Sequence, residues 1–444
     1  MKDIDWNDWD EIDMINEFIG HEKFYEFLVD NGCLDEWIGN MNKEQGLLES
    51  LVLSANISMA QREAIVTEAA DLVAEIRSSA RPGLMEVFLA EYGLSTKEGV
   101  AMMCLAEALL RVPDAPSIDA LIEDKIGRGN WAQHKGQSDS ALVNASTFAL
   151  NLTAGVLKAH GSGVEQTLRG AIKRLGEPAI RAAARRAMGE MGRQFVLGES
   201  IEAATRRARQ LERKGYTYSY DMLGEAARTA ADAEAYFKAY QQAILCISKA
   251  VTSDDSRANP GISVKLSALH PRYEVAQRDR VLSELTPRLA ALAQLAASHN
   301  LGLNIDAEEV DRLSLSLEVI EAVLSQPSLA QWQGFGLVVQ AYGHRAPEVV
   351  DWLYALAQKL DRQVTLRLVK GAYWDTEVKH AQVLGLDRFP VFTQKAATDV
   401  SYLAVSRKLL GMTDRIYPQF ATHNAHTITA VLTIAREMGV SKAR

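Results

Sequence analysis

Five short apolar runs in the second half of this chain end in residues that could do chemistry. They are Ile262-Ser263-Val264-Lys265, Leu303-Asn304-Ile305-Asp306, Leu337-Val338-Val339-Gln340-Ala341-Tyr342, the run from Leu366 through Arg367, Lys370, Gly371 and Tyr373 to Trp374, and Gln419-Phe420-Ala421-Thr422-His423-Asn424. Each reads as a buried strand followed by its polar end. Lys265 and Asp306 close successive strands and could meet as an ion pair, with a structural role and a role at a substrate equally open. Arg367 lies inside an otherwise apolar strand, so its guanidinium must be paired or face a ligand. Lys370 supplies charge, and Gly371 beside it lets the backbone approach a bulky anion. Gln340 offers a donor and an acceptor to an amide-like ring edge. Tyr373 and Trp374 could wall a planar cofactor or simply pack. Thr422, His423 and Asn424 add polar groups whose ligand and structural readings stay level.

Such ends share one cavity only if the strands run parallel, and the segments between them supply the crossovers. Helix-patterned stretches follow at Arg278–Ser298, Leu313–Leu324, 346–360, 401–410 and 427–438. An earlier candidate strand at 218–223 is followed by an amphipathic stretch at 233–251. Short β-rich runs alternating with long helical ones are the signature of βα units. Six such units are counted, whereas a closed (βα)8 barrel has two more. The fold class expected is therefore α/β, a TIM-like barrel truncated after six units and preceded by an all-helical region. Three zones follow: residues 1–56 as an acidic segment of short amphipathic helices or partly ordered arm, 57–213 as an Ala-rich helical domain, and 214–444 as the barrel. The end of the helical zone, from Lys173 to Arg213, is strongly basic and reads as a solvated face or an anion or partner surface.

Composition narrows the class. At 444 residues, 48% hydrophobic and 24% charged, the chain suits a globular protein of two or three domains. The formal charge of −9 argues against nucleic acid as the bulk partner. Cys33, Cys104 and Cys246 lie far apart without CxxC spacing, so no disulfide framework or metal site is expected, and a reducing cytoplasm fits. The start has neither a basic nor an apolar signal region, and the stretch around 145–157 falls short of the roughly 20 apolar residues that span a bilayer. Walker A, HExxH, GxSxG and GxGxxG sequences are all absent, so a nucleotide cofactor would be held by barrel loops.

Longer strings are specific. The segment from Gly261 to Tyr273, Asn304-Ile305-Asp306-Ala307-Glu308-Glu309, the run from Arg367 to Asp375, and the segment from Tyr417 to His426 resemble the proline dehydrogenase domain of the bacterial proline utilization A family. The likeness extends upstream through Arg193 to Gly198 and Glu91 to Thr96 to about Ile57. It implies a distorted (βα)8 barrel that binds FAD, oxidises L-proline to Δ1-pyrroline-5-carboxylate and passes electrons to a membrane quinone. By that likeness Gln340, Arg367, Lys370, Gly371, Tyr373, Trp374, Thr398, Thr422, His423 and Asn424 line FAD. Lys265 holds the proline carboxylate with Asp306 beside it, Tyr373 joins the substrate site, and Arg367 stabilises charge on the reduced flavin. The resemblance further implies a C-terminal aldehyde-dehydrogenase-like domain and a cytoplasmic protein attached peripherally to the membrane, and it admits a homo-oligomer. No nucleic-acid partner is expected, because the net charge is negative and the acidic start does not look like the ribbon-helix-helix module some family members carry there.

Two departures stand out. Gln394 replaces the usual Arg, so no anion contact is assigned there, and nothing after Asn424 matches the family's final helix with its arginine pair and tyrosine. The chain is accordingly expected to be the N-terminal portion of a longer enzyme, or a truncated form. Two rivals from other classes are a non-catalytic scaffold that assembles with a partner, and a barrel lyase using Lys265 or Lys370 as a Schiff base.

Overall fold

The computed structural model of the chain describes residues 34–79 and 196–440. The chain divides into two compact units, one of residues 1–73 with 216–444 and one of residues 74–215. Of the expected helical zone 57–213, the described parts are helices α2 (Met59–Ser79) and α3 (Ile201–Glu212). The rest of that zone, with most of its basic stretch, lies outside the described residues. Ser200 begins α3 as its N-cap, accepting from the Ala203 N–H. The expected acidic arm is described only from residue 34, where helix α1 (Leu34–Ala55) runs 22 residues.

The six expected βα units are present. Strands β1 (Ser219–Asp221), β2 (Gly261–Val264), β3 (Gly302–Ile305), β4 (Phe335–Gln340), β5 (Val364–Val369) and β6 (Ile416–Phe420) form one sheet in sequence order, parallel throughout. The helices between them are α4 (Ala230–Ile247), the one-turn α5 (Leu266–Leu269), α6 (Arg278–Ser298), α7 (Leu313–Leu324), α8 (Ala346–Lys359), α9 (Trp374–Val383) and α10 (Lys395–Leu410), with α11 (Ala425–Glu437) following β6. A parallel sheet with crossover helices is buried on both faces, and β2 shows it by having all four residues buried. Leu303, Ile305, Leu337, Leu366 and Leu368 form the apolar layer of the strands, all at most 2% exposed.

The sheet is curled. Strands lie about 4.8 Å apart, so β2 and β5 in a flat sheet would be about 14 Å apart. Yet Arg367 Nη1 on β5 donates to Ser263 Oγ on β2 at 3.1 Å. At the opposite end of the strands the Arg257 guanidinium sits over the Tyr417 ring, 5.2 Å from its centroid. Both contacts cross a concave interior of the kind a barrel encloses.

Three boundaries differ from the sequence reading. In the run ending at Trp374, β5 stops at Val369 with the polar residues behind it, and Trp374 opens α9, a helix the pattern did not show. Gly371 makes the break, with φ of +144°, a conformation open to glycine. The sixth strand ends at Phe420 instead of Asn424, because Asn424 serves as the N-cap of α11 and accepts from the Thr427 N–H. Finally, Tyr342 lies in the turn after β4, where its N–H donates to Lys370 O.

Candidate active site

Lys265 follows β2 directly and its side chain is 20% exposed at the strand ends. Its ammonium lies 3.0 Å from Asp306 Oδ2, 3.2 Å from Asp221 Oδ1 and 2.8 Å from Glu225 Oε1. The expected Lys265–Asp306 pair is therefore present, within a larger cluster. Neighbouring parallel strands make it: Asp306 N–H donates to Val264 O, which brings the residues after β2 and β3 level. The backbone N–H of Lys265 donates to Tyr240 Oη at 3.2 Å, fixing where its side chain starts. Burial alone would lower the Lys265 pKa, but the hydrogen bond to Glu225 and the charges of Asp306, Asp221 and Glu225 raise it above its ordinary value, so the group stays an ammonium. Asp221 moves the opposite way from a paired carboxylate: burial first, then the charges of Asp306 and Glu225, raise it against the charge and hydrogen bond of Lys265.

Arg367 faces the same concavity. Its Nε donates to Gln419 Oε1 at 3.3 Å, Nη1 donates to Ser263 Oγ, and Nη1 lies 3.8 Å from Asp306 Oδ1. The strand register sets this up, since Arg367 pairs with Gln419 on β6 and with Val338 on β4. The Arg367 side chain is 19% exposed. It is thus held by neutral oxygens on two sides and by one carboxylate at longer range, with a part left open to the cavity.

The remaining expected residues sort into a rim. Lys370 pairs with Asp399 of α10, which also takes Lys395 at 2.7 Å. Burial would raise the Asp399 carboxyl, but the hydrogen bonds from Lys370 and Lys395 outweigh it and hold the pKa below the ordinary value. Thr398, beside it, is buried. Gln340 does not hold its amide free: Nε2 donates to Glu308 O and Oε1 accepts from Ala372 N–H, both at 3.0 Å. Gly371 is needed for packing in this structure, because a Cβ there would come within 2.4 Å of the Tyr342 ring. Tyr373 is half-buried with its hydroxyl pKa raised chiefly by burial. Trp374 is 42% exposed and its indole N–H donates to Phe392 O. Thr422 Oγ1 accepts from Asn424 N–H, and His423 is exposed.

Asp221, Glu225, Ser263, Gln419 and Asp399 were not singled out from sequence. The one signal that could have found Asp221 is its place at the end of the first strand, where the other site residues also sit. A slot of 310 Å³ lies between Ile305, Leu337 and Val339 on the strands and Leu313, Leu317 and Val349 on α7 and α8; Asp306 and Gln340 reach it, whereas Lys265 and Arg367 do not line it.

A curled parallel α/β sheet with cations and carboxylates converging at its strand C-termini defines the TIM-barrel-like class of enzyme domains. The family model described as proline dehydrogenase matches residues 204–444, and a second, described as the DNA-binding domain of proline dehydrogenase, matches 84–195. The chain belongs to the proline dehydrogenase family, as its motifs led one to expect. The bifunctional protein PutA of Salmonella typhimurium is 54% identical over 359 residues, 81% of this chain and 27% of that protein. The protein of the same description from Rhizobium meliloti is 48% identical over 397 residues, 88% of this chain and 32% of that one. The chain thus spans about a third or less of the length of these curated relatives. A crystal structure of a variant of Bradyrhizobium japonicum proline utilization A superposes with a TM-score of 0.64 at 49% identity, over 87% of this chain and 39% of that one.

Proposed function

We propose that this chain carries the site of an FAD-dependent proline dehydrogenase, which oxidises L-proline to Δ1-pyrroline-5-carboxylate as part of a longer bifunctional enzyme. The observation that carries the reading is the convergence of Lys265 and Asp306, at the ends of β2 and β3, with Arg367 from within β5. Family membership supports the substrate, and the proline dehydrogenase family is in general FAD-dependent.

The residues present fit such a cofactor. Two cations, Arg367 and Lys370, stand on one strand and its end, and the buried hydroxyl of Thr398 lies at the start of α10. Bound FAD supplies the hydride acceptor. Arg367, fixed by Gln419 and Ser263, keeps a positive charge where electron density accumulates in the reaction, and needs no reorganisation to do so. Lys265, kept as an ammonium by its carboxylates, serves as a fixed charge toward the substrate carboxylate, while Asp306 orients it. Lys370, Thr398 and Gly371 hold anionic and polar parts of the cofactor, with Gln340, Tyr373, Trp374, Thr422, His423 and Asn424 around its edges.

For Lys265 the same raised pKa speaks against the Schiff-base rival, which needs a lysine that gives up its proton readily; Lys370 is bound to the Asp399 carboxylate. Electron transfer to a membrane quinone and peripheral attachment from the cytoplasm complete the reading; among the described residues no helix is long and apolar enough to cross a membrane. The net charge of −9 argues against nucleic acid as the bulk partner, and the match of residues 84–195 to a model described as a DNA-binding domain stands against leaving it out altogether. The relatives are bifunctional by name and much longer than this chain, which leaves room in the proposed enzyme for an aldehyde-dehydrogenase-like domain.

The test is direct. The full-length protein, reconstituted with FAD, should be yellow and bleach when L-proline is added without oxygen. A protein that takes up FAD yet does not bleach with proline would refute the substrate, and one trapped with a carbonyl compound by borohydride would favour the lyase.

A further inference from the structure

Helix α1 seats along α10 through an apolar seam in which Leu47, Leu48, Leu51 and Ala55 meet Phe392, Ala397, Val400 and Ala404. Both ends of the seam are polar and specific. At one end the Glu44 carboxylate takes Thr393 twice: Oε1 accepts from the backbone N–H and Oε2 from the side-chain hydroxyl, both at 2.9 Å. At the other end Arg407 of α10 donates to the carbonyls that close α1, from Nε to Ala55 O at 2.7 Å and from Nη2 to Asn56 O at 3.3 Å. Arg407 also holds Glu437 of α11 at 2.7 Å.

The Glu44 contact falls at a sensitive place. Gln394, the N-cap of α10, makes no side-chain capping bond. The carboxylate that serves this helix start therefore comes from α1, 349 positions away in the chain, and sits favourably against the positive end of the helix. On the other side the Trp374 indole N–H holds Phe392 O, so the segment leading into α10 is pinned from both flanks. The helix begun there carries Thr398 and Asp399, and Asp399 holds Lys370.

We propose that Glu44 is a positioning residue for the cofactor site: by fixing Thr393 it sets the start of α10, and through Asp399 it holds Lys370 where an anionic part of the cofactor binds. This rests on the FAD reading above. A residue in the N-terminal acidic segment would thus tune a site built by the barrel.

The experiment uses full-length apoprotein titrated with FAD by fluorescence quenching, with thermal unfolding of each apoprotein alongside. Glu44→Ala should weaken FAD about 3- to 10-fold, the range expected for coupling through a packed network. Glu44→Gln, which still accepts from the Thr393 N–H and can donate to its Oγ1, should recover most of that loss. Thr393→Val, which loses only the hydroxyl, should fall between. In a Lys370→Met background Glu44→Ala should cause no additional loss, because the route to the cofactor is already cut. An unchanged FAD affinity in Glu44→Ala, or the same fold-loss with and without Lys370, would reduce Glu44 to an anchor for α1. Wild-type protein that binds no FAD at all would instead sink the parent reading, and the two failures are told apart by the wild-type titration.

Discussion

Lys265 Nζ lies 2.8 Å from Oε1 of Glu225, a carboxylate whose side chain is only 2% exposed. The pair makes Lys265 an interior counter-charge as well as a group facing the cavity. Three carboxylates share it, so removing it leaves several negative charges close together with little water.

Lys265→Met should therefore destabilise the protein by about 3 kcal/mol, the cost of breaking a buried pair by deleting one member. Urea unfolding at neutral pH measures it. Adding Glu225→Gln to the variant should restore a good part of the loss, since the stranded charge is then gone. Equal stability of Lys265→Met and wild type would mean the cluster is solvated.

Arg367→Met should act on rate before binding. The guanidinium is held by Gln419 and Ser263, and Lys265, the cation proposed for the substrate carboxylate, is left in place by the substitution. Loss of one preorganised charge of this kind costs about 100-fold in the chemical step. Stopped-flow reduction of the flavin at saturating proline should show a fall of that order with a nearly unchanged proline dissociation constant. A normal limiting rate would remove Arg367 from the chemistry.

Gly371→Ala meets two obstacles together: φ is +144°, and the new methyl would fall within 2.4 Å of the Tyr342 ring. Strain and overpacking each cost on the order of 1–3 kcal/mol, so a loss of about 3 kcal/mol is expected. Thermal unfolding of the single variant and of its combination with Tyr342→Ala separates the two causes. The double variant should regain the packing part only; full recovery would show that backbone strain contributes nothing.

Two carboxylates near the rim give opposite pH responses. Asp399 has a folded-state pKa below the ordinary 3.8, so its contribution is present above 3.8 and is lost as pH falls through the folded value. Asp221 is raised above 3.8; its contribution is full below that value and is lost as pH rises through the folded pKa. Asp399→Asn should flatten the acid limb of a stability profile by about 0.5–1 kcal/mol, a modest figure because the group is 35% exposed and screened. Asp221→Asn should remove a loss that develops above 3.8. Denaturant titrations across that range decide both, and an Asp399→Asn profile parallel to wild type would contradict the first.

What could be read from the residues alone was the ring of strand ends. A cation inside an apolar strand, as at Arg367, has few explanations, and the last residues of adjacent parallel strands must be neighbours, as Lys265 and Asp306 are. Glu225 escaped because it lies in a loop after a three-residue strand, where no periodicity marks a side chain as buried. Helix α9 escaped because Trp374–Val383 carries few apolar residues in a helical period, and Tyr373 and Trp374 read as cofactor walls or packing behind the strand. The contact of Glu44 with Thr393 joins segments too distant in sequence for any local pattern to connect.

Gln340 is a crossbar between loops. Its single amide ties Glu308 O, after β3, to Ala372 N–H, after β5, while its own strand lies between them. In the free protein this limits the conformational freedom of both loops at once. A ligand that takes the Gln340 amide for itself must open those two bonds, and the loops on either side then gain freedom as the ligand loses its own. Part of the entropy lost by the incoming molecule is thereby returned by the protein.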